Sequence, residues 1–185
     1  MNTVECLVQV YRRYVSLPWE PGLAPPQRVW FVVYDPPQER RLRFRLSEFK
    51  DATIDAGHTW FPMDLTDLFP EWMAKHEYRD AYFESPQDME LELKGFEAYA
   101  VERVSAFLRA SEADAASVMA LSGLGSMFGL LRVSSLIEQV APSIQGRLVA
   151  FFPGHYDGNN YRLLDARDGW NYLAVPITCK DGEQQ

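Results

Sequence analysis

The densest group of side chains able to do chemistry lies in FFPGHYDGNNYRLLDARDGWNYLAVPI, residues 151–177. His155, Asp157, Asp165 and Asp168 could ligate a divalent metal. Only one of the four is a nitrogen ligand, however, and no helical or turn spacing fixes them, so no metal is expected. Asp157-Gly158 and Asp168-Gly169 also read as ordinary turn dipeptides. Tyr156, Asn159, Asn160, Tyr161, Arg162, Arg167 and Trp170 complete a mixture of aromatic, amide and guanidinium groups. Tyr, Trp and Arg are the residues that dominate protein interfaces. Residues 161–164 are predicted to form a short antiparallel strand between two turns, with Arg162 and Asp165 able to pair across it. His155, Tyr156, Asn159, Asn160, Tyr161, Arg162, Asp165, Arg167, Asp168 and Trp170 are therefore candidate partner-binding residues, with Trp170 open to a core role as well.

Gly123, Gly125, Ser126 and Gly129 form a second candidate, a turn between a predicted strand and a predicted helix. Such a loop can present backbone N–H groups to an anion, helped by the helix dipole. A phosphate-binding loop requires G-x-x-x-x-G-K-[ST], and here Leu130 and Leu131 follow Gly129 with no lysine between Lys94 and Lys180. The dinucleotide pattern G-x-G-x-x-G fails at Phe128. The alternative is a tight turn with Met127 and Phe128 packed inward. Asp35 and Asp64 each end a predicted strand and could bind magnesium, or cap the next element. With His155 and Asp165 they would make a metal-dependent hydrolase or nuclease. His58 and His76 stand alone and read as solvated. No G-x-S-x-G occurs, so nucleophilic serine catalysis lacks its motif. No catalytic residue and no cofactor is expected.

The elements that must position these residues follow from periodicity. Val4, Leu7, Val8, Tyr11 and Val15 fall on one helical face over residues 3–15, and the proline-rich stretch 17–27 is a loop. Residues 28–34, RVWFVVY, have the continuous apolar character of a strand buried on both faces. A helix is predicted over 39–57, closed by Gly57, and a strand over 58–65, with Pro62 indicating an edge. Residues 66–110 carry helical signals only, one helix capped by Thr66 or Asp67 and a longer one from Ser85-Pro86 with Met89, Leu93, Phe96, Tyr99, Ala100, Val104 and Leu108 on one stripe. This stretch reads as an insertion or a partner-binding arm. Strands at 117–122, 147–152 and 171–177, with a helix over 130–141, complete the pattern. Alternating strands and helices predict an α/β fold: one domain over 1–185, a mostly parallel sheet between flanking helices in three layers, resembling a degenerate nucleotide-binding core.

The chain of 185 residues is long enough to bury a core without a staple. Its net charge of −8 disfavours direct nucleic-acid binding. Lysine is rare beside arginine, which suits planar pairing with carboxylates, or reflects compositional bias. Cys6 and Cys179 lie at opposite ends without metal spacing, and a reduced, cytoplasmic setting is the simplest reading. The N-terminal segment carries Glu5 and two arginines around no apolar core, so neither a signal peptide nor membrane association is expected.

Four segments, RVWFVVYDP (28–36), AGHTWFPMDLTD (56–67), GLGSMFGLLRVSSLIEQVAP (123–142) and, most specifically, GRLVAFFPGHYDGNNYRLLDARDGWNYLAVPI (146–177), resemble the BrxB family of bacterial BREX phage-defence systems. The resemblance implies a cytoplasmic protein needed for defence, in which host DNA is methylated and unmodified phage DNA blocked. It implies partners within the system: the AAA-type ATPase BrxC, the phosphatase-like protein PglZ and, through them, the methyltransferase PglX, with DNA contacted only indirectly. It implies no enzymatic activity. The expected role is that of a non-catalytic adaptor, the alternative a nucleotide- or nucleic-acid-sensing module of the same system.

Overall fold

The structure, a computed structural model, describes residues 3–110, 112–167 and 169–179. Helix α1 (Thr3–Ser16) precedes strand β1 (Val29–Tyr34). The predicted helix after β1 is two helices, α2 (Glu39–Phe44) and α3 (Leu46–Asp55), with the break at Arg45. Strand β2 (Thr59–Asp64) follows, then α4 (Leu68–Ala74), α5 (Arg79–Glu84), a 3₁₀ turn over Pro86–Leu91 and α6 (Leu93–Leu108). Strand β3 (Ser117–Ser122), α7 (Val133–Val140), β4 (Arg147–Asp157), β5 (Asn160–Leu163), β6 (Trp170–Asn171) and β7 (Val175–Ile177) complete the chain.

Five strands pair in parallel in the order β2-β3-β4-β1-β7. The exception to the parallel pattern is local: β4 runs beyond the sheet and its last residues pair antiparallel with β5, which pairs with β6. The single strand predicted over 171–177 is in fact divided between β6, which pairs with β5, and β7, which pairs with β1. Alternation along the strands fills two cores. Phe31, Met119, Leu121, Leu148, Ala150 and Phe152 face one side, where α6 adds Phe96, Ala100, Val104 and Leu108 and α7 adds Leu136, Ile137 and Val140. Trp30, Val32, Val118, Ala120, Val149 and Phe151 face the other, against α1 and α3. Helices on both faces explain why the central strands are continuously apolar.

Residues 66–110 therefore form the crossover from β2 to β3, and the predicted stripe of α6 seats in the sheet through Phe96, Ala100, Val104 and Leu108. By contrast α5 and the 3₁₀ turn after it bury no side chain fully. The chain leaves β1 toward β2 at one edge and leaves β4 across β1 toward β7 at the other. These opposed crossovers put a topological switch point at the carboxyl ends of β1 and β4.

Three expectations need correction. Cys6 and Cys179 are not unrelated thiols: α1 and the end of β7 bring their Cα atoms to 5.6 Å, and they form a disulfide. His58 is not solvated, but stacks on Trp19 at 3.6 Å with Nδ1 3.1 Å from the Ala116 carbonyl. His76 is also partly buried, 5.1 Å from the Trp72 ring and 3.5 Å from Glu92.

Candidate functional site

At the carboxyl ends of β1, β2 and β3, where α/β sheets commonly hold ligands, polar side chains are bonded to one another. Arg43 on α2 donates to Glu39 at 2.6 Å, to Asp64 at 2.7 Å and to the Thr66 hydroxyl at 2.7 Å. The Tyr34 hydroxyl donates to the other Glu39 oxygen. Thr66 closes the loop, its amide and hydroxyl donating to Asp64 Oδ1 at 3.0 and 2.6 Å. Partial burial pushes the Asp64 carboxyl up, but the Arg43 and Thr66 hydrogen bonds outweigh it and hold the group below the usual carboxylate range. Burial, reinforced by Glu39, raises the Tyr34 hydroxyl well above its ordinary value. Asp64 is thus an ion-pair partner rather than a magnesium ligand, and Thr66 serves this network rather than a helix cap. Asp35 is exposed and ends β1 apart from it.

The glycine-rich turn packs directly on this network. Gly123 has φ +78°, and a Cβ there would lie 2.5 Å from Asp64 Oδ1 and 2.7 Å from Thr66 Oγ1. The turn is a 3₁₀ segment over Leu124–Met127, and a further turn over 128–130 and a bend at Leu131 separate it from α7. The predicted direct entry into a helix is therefore absent. Ser126 N and Oγ donate to the Gly123 carbonyl at 3.0 and 2.6 Å. The amides of Phe128, Leu130 and Leu131 likewise donate to Gly125 and Met127 carbonyls. These four amides are used within the turn instead of facing an anion. Met127 packs inward as expected; Phe128 does not, and is 43% exposed.

Phe128 stands at the mouth of a groove with a cavity volume of about 700 Å³. Three units wall it: the first half of α6 (Leu93, Lys94, Glu97), the stretch from Phe128 to Ser134, and the hairpin that holds Leu163, Arg167 and Trp170, with Phe152 and Tyr161 at its floor. The groove thus joins the glycine-rich segment to the 151–177 region, two parts of the sequence read separately. Trp170 is half-buried, donates to Glu138 at 3.0 Å and stacks on Tyr172 at 4.3 Å. Burial and Glu138 push the Tyr172 hydroxyl up to about 12. Glu97 accepts from Ser135 and, at 3.0 Å, from Gln139. Among the described residues no hydrogen bond or ion pair engages the side chains of Lys94, Arg132 or Arg167.

Strand alternation sorts the other candidates. Tyr156 and Tyr161 oppose each other on the core side of the hairpin, with rings 4.8 Å apart. Tyr161 is a core residue: it is buried and donates to the Ala174 carbonyl at 2.8 Å. His155 and Arg162 oppose each other on the exposed side, away from the groove. Asn159 occupies the turn, where it accepts from Tyr156 at 3.0 Å with φ 68°, and Asn160 opens β5 opposite Asp157. Asp165 is exposed, and no ion pair joins it to Arg162. Asp168 lies outside the described residues. Among the described residues no group of His, Cys, Asp or Glu could hold a metal ion, so His155 and Asp165 are not joined to Asp35 or Asp64. Lys94, Arg132 and the leucines at 130 and 131 were not singled out from the sequence. Leu93, at the end of the α6 stripe where the core has already closed, is the one signal that could have pointed to them.

No curated protein and no solved structure matches the chain. The family described as BREX protein BrxB does, over residues 62–177, which is more than half of the chain. That span contains the glycine-rich turn, every wall of the groove and the β4–β5–β6 hairpin. The chain belongs to the BrxB family and is a component of a BREX phage-defence system.

Proposed function

We propose that the chain is a non-catalytic adaptor of a BREX complex, cytoplasmic, linking the ATPase BrxC to the phosphatase-like PglZ and through them to the methyltransferase PglX. Its sheet is a degenerate nucleotide-binding core, and the groove beside the hairpin is its docking site. The observation that carries this reading is a contrast. The strand ends that would receive a nucleotide are filled by the Arg43–Asp64 network, while an apolar groove with an exposed aromatic mouth stands open beside them. Exposed apolar patches rimmed by polar groups mark interaction sites. The disulfide weighs against a reducing compartment, where such bonds are rare; family membership weighs for one.

The test is a pull-down of tagged protein from cells expressing the other BREX proteins, wild type beside Phe128→Asp. The wild type is expected to recover PglZ or BrxC at near-stoichiometric level. The variant, shown folded by circular dichroism, is expected to lose at least about tenfold, the effect of one truncated hot spot. Recovery of neither protein by folded wild type removes the adaptor reading.

A second reading, a nucleotide- or nucleic-acid-sensing module, is favoured by the groove volume, which falls in the range of small-molecule sites. It requires thermal stabilisation by ATP or an oligonucleotide. The net charge and the occupied turn amides favour the adaptor.

A further inference from the structure

The groove has a chemistry of its own that specifies a guest. Its walls are apolar, from Leu93, Phe128, Leu131, Leu163 and Trp170. At its rim three cations converge from three elements: Lys94 on α6, Arg132 just before α7, and Arg167 after β5. None of the three is paired among the described residues, whereas Glu97 is held by Ser135 and Gln139 and Glu138 by Trp170. Three unpaired cations outnumber the two carboxylates of the lining, Glu90 and Glu97, against a net charge of −8 for the whole chain. A cationic cluster of this kind attracts a complementary anionic partner.

The backbone of the guest is constrained as well. The walls are side chains of a helix, a loop and a hairpin face. The strand at the groove, β6, has two residues and offers too short an edge for an added strand. A guest must therefore satisfy its own backbone hydrogen bonds, as a helix does.

We propose that the groove receives an acidic helical segment of a partner protein, its apolar face between Phe128 and Trp170 and its carboxylates on Lys94, Arg132 and Arg167. This rests on the docking reading above and specifies what docks. The exposed Leu91, between the lining residues Glu90 and Leu93, extends the apolar track beyond the cavity.

The experiment probes the full chain with overlapping peptides of about 20 residues, roughly 30 Å as helices, tiled across the other proteins of the defence operon. Bound peptides are expected to carry net negative charge and apolar residues at helical spacing. Binding should weaken as salt rises. Arg132→Glu with Arg167→Glu should lower affinity at least about tenfold, while Arg132→Lys with Arg167→Lys should keep most of it, since charge rather than a bidentate fork is required. Binding of neutral or basic peptides, or full binding by the charge-reversed protein, overturns the acidic-helix proposal. If Phe128→Asp still abolishes partner capture in that case, the docking reading survives alone. Two further outcomes also overturn it. One is a homodimer in solution that Phe128→Asp dissociates, which makes the guest a second copy. The other is thermal stabilisation by ATP lost on charge reversal, which makes the groove a small-anion site.

Discussion

Gly123 and Gly129 look interchangeable in the sequence, and the structure separates them. Both have positive φ, +78° and +77°. A Cβ at Gly129 would meet nothing within 4 Å, whereas one at Gly123 would press on Asp64 and Thr66. Gly129→Ala is expected to cost about 1 kcal/mol, the left-handed backbone penalty alone. Gly123→Ala should cost about 3 kcal/mol or more, because it also displaces the network. Urea unfolding of both variants measures the gap, and equal costs would mean the Arg43–Asp64 contact yields easily. The network has a pH signature too. Asp64 titrates below its unfolded value of about 3.9, so its contribution is present above that value and is lost as pH falls through the folded one. Asp64→Asn is expected to cost about 0.5–1 kcal/mol at neutral pH, in keeping with a partly exposed pair. Its deficit against wild type should shrink below about pH 4. A deficit unchanged at low pH would assign the effect to packing instead.

At the scale of elements, what could be read in the sequence was what burial dictates. The strand over 28–34 and the α6 stripe were legible because one face or two must be apolar, and Phe31, Phe96 and Leu108 are indeed buried. The cap and turn assignments failed where a long-range partner intervened. Thr66 could not be read as a network member, because its partner Arg43 is supplied by another helix. The start of α7 slipped to Val133 because the turn amides close on their own carbonyls before the helix begins. The hairpin was legible in outline, but not its sidedness. Tyr161 and Arg162 are adjacent and both attractive as interface residues, yet one is core and the other exposed. Only the register with Tyr156 and His155 decides between them. The groove was illegible for the same reason. Its walls, at 93–97, 128–134 and 163–170, are far apart in the chain and come together through sheet order, which periodicity does not encode.

The whole molecule is two cores pressed on one sheet, with its ends joined. α1 seats on the sheet through Leu7, Tyr11 and Val15, and the Tyr11 hydroxyl meets Thr53 Oγ1 at 2.6 Å. The far edge is β7, three residues paired to β1, with Ile177 buried in the second core. The Cys6–Cys179 bond ties that edge to α1 across a sequence separation of 173. Closing so long a loop restricts the unfolded chain strongly, by about 5 kcal/mol on chain entropy alone, though measured disulfides more often contribute about 2–4 kcal/mol. At about 2–4 °C per kcal/mol for a domain of this size, reduction by dithiothreitol is expected to lower Tm by roughly 5–15 °C. Cys6→Ser should show the same loss and no further response to the reductant. Both cores are built without the bond, so the reduced protein should still unfold cooperatively and still bind its partner through the groove. A wild-type Tm indifferent to reductant, together with two titratable thiols in the untreated protein, would show that the ends are held by packing and not by the disulfide.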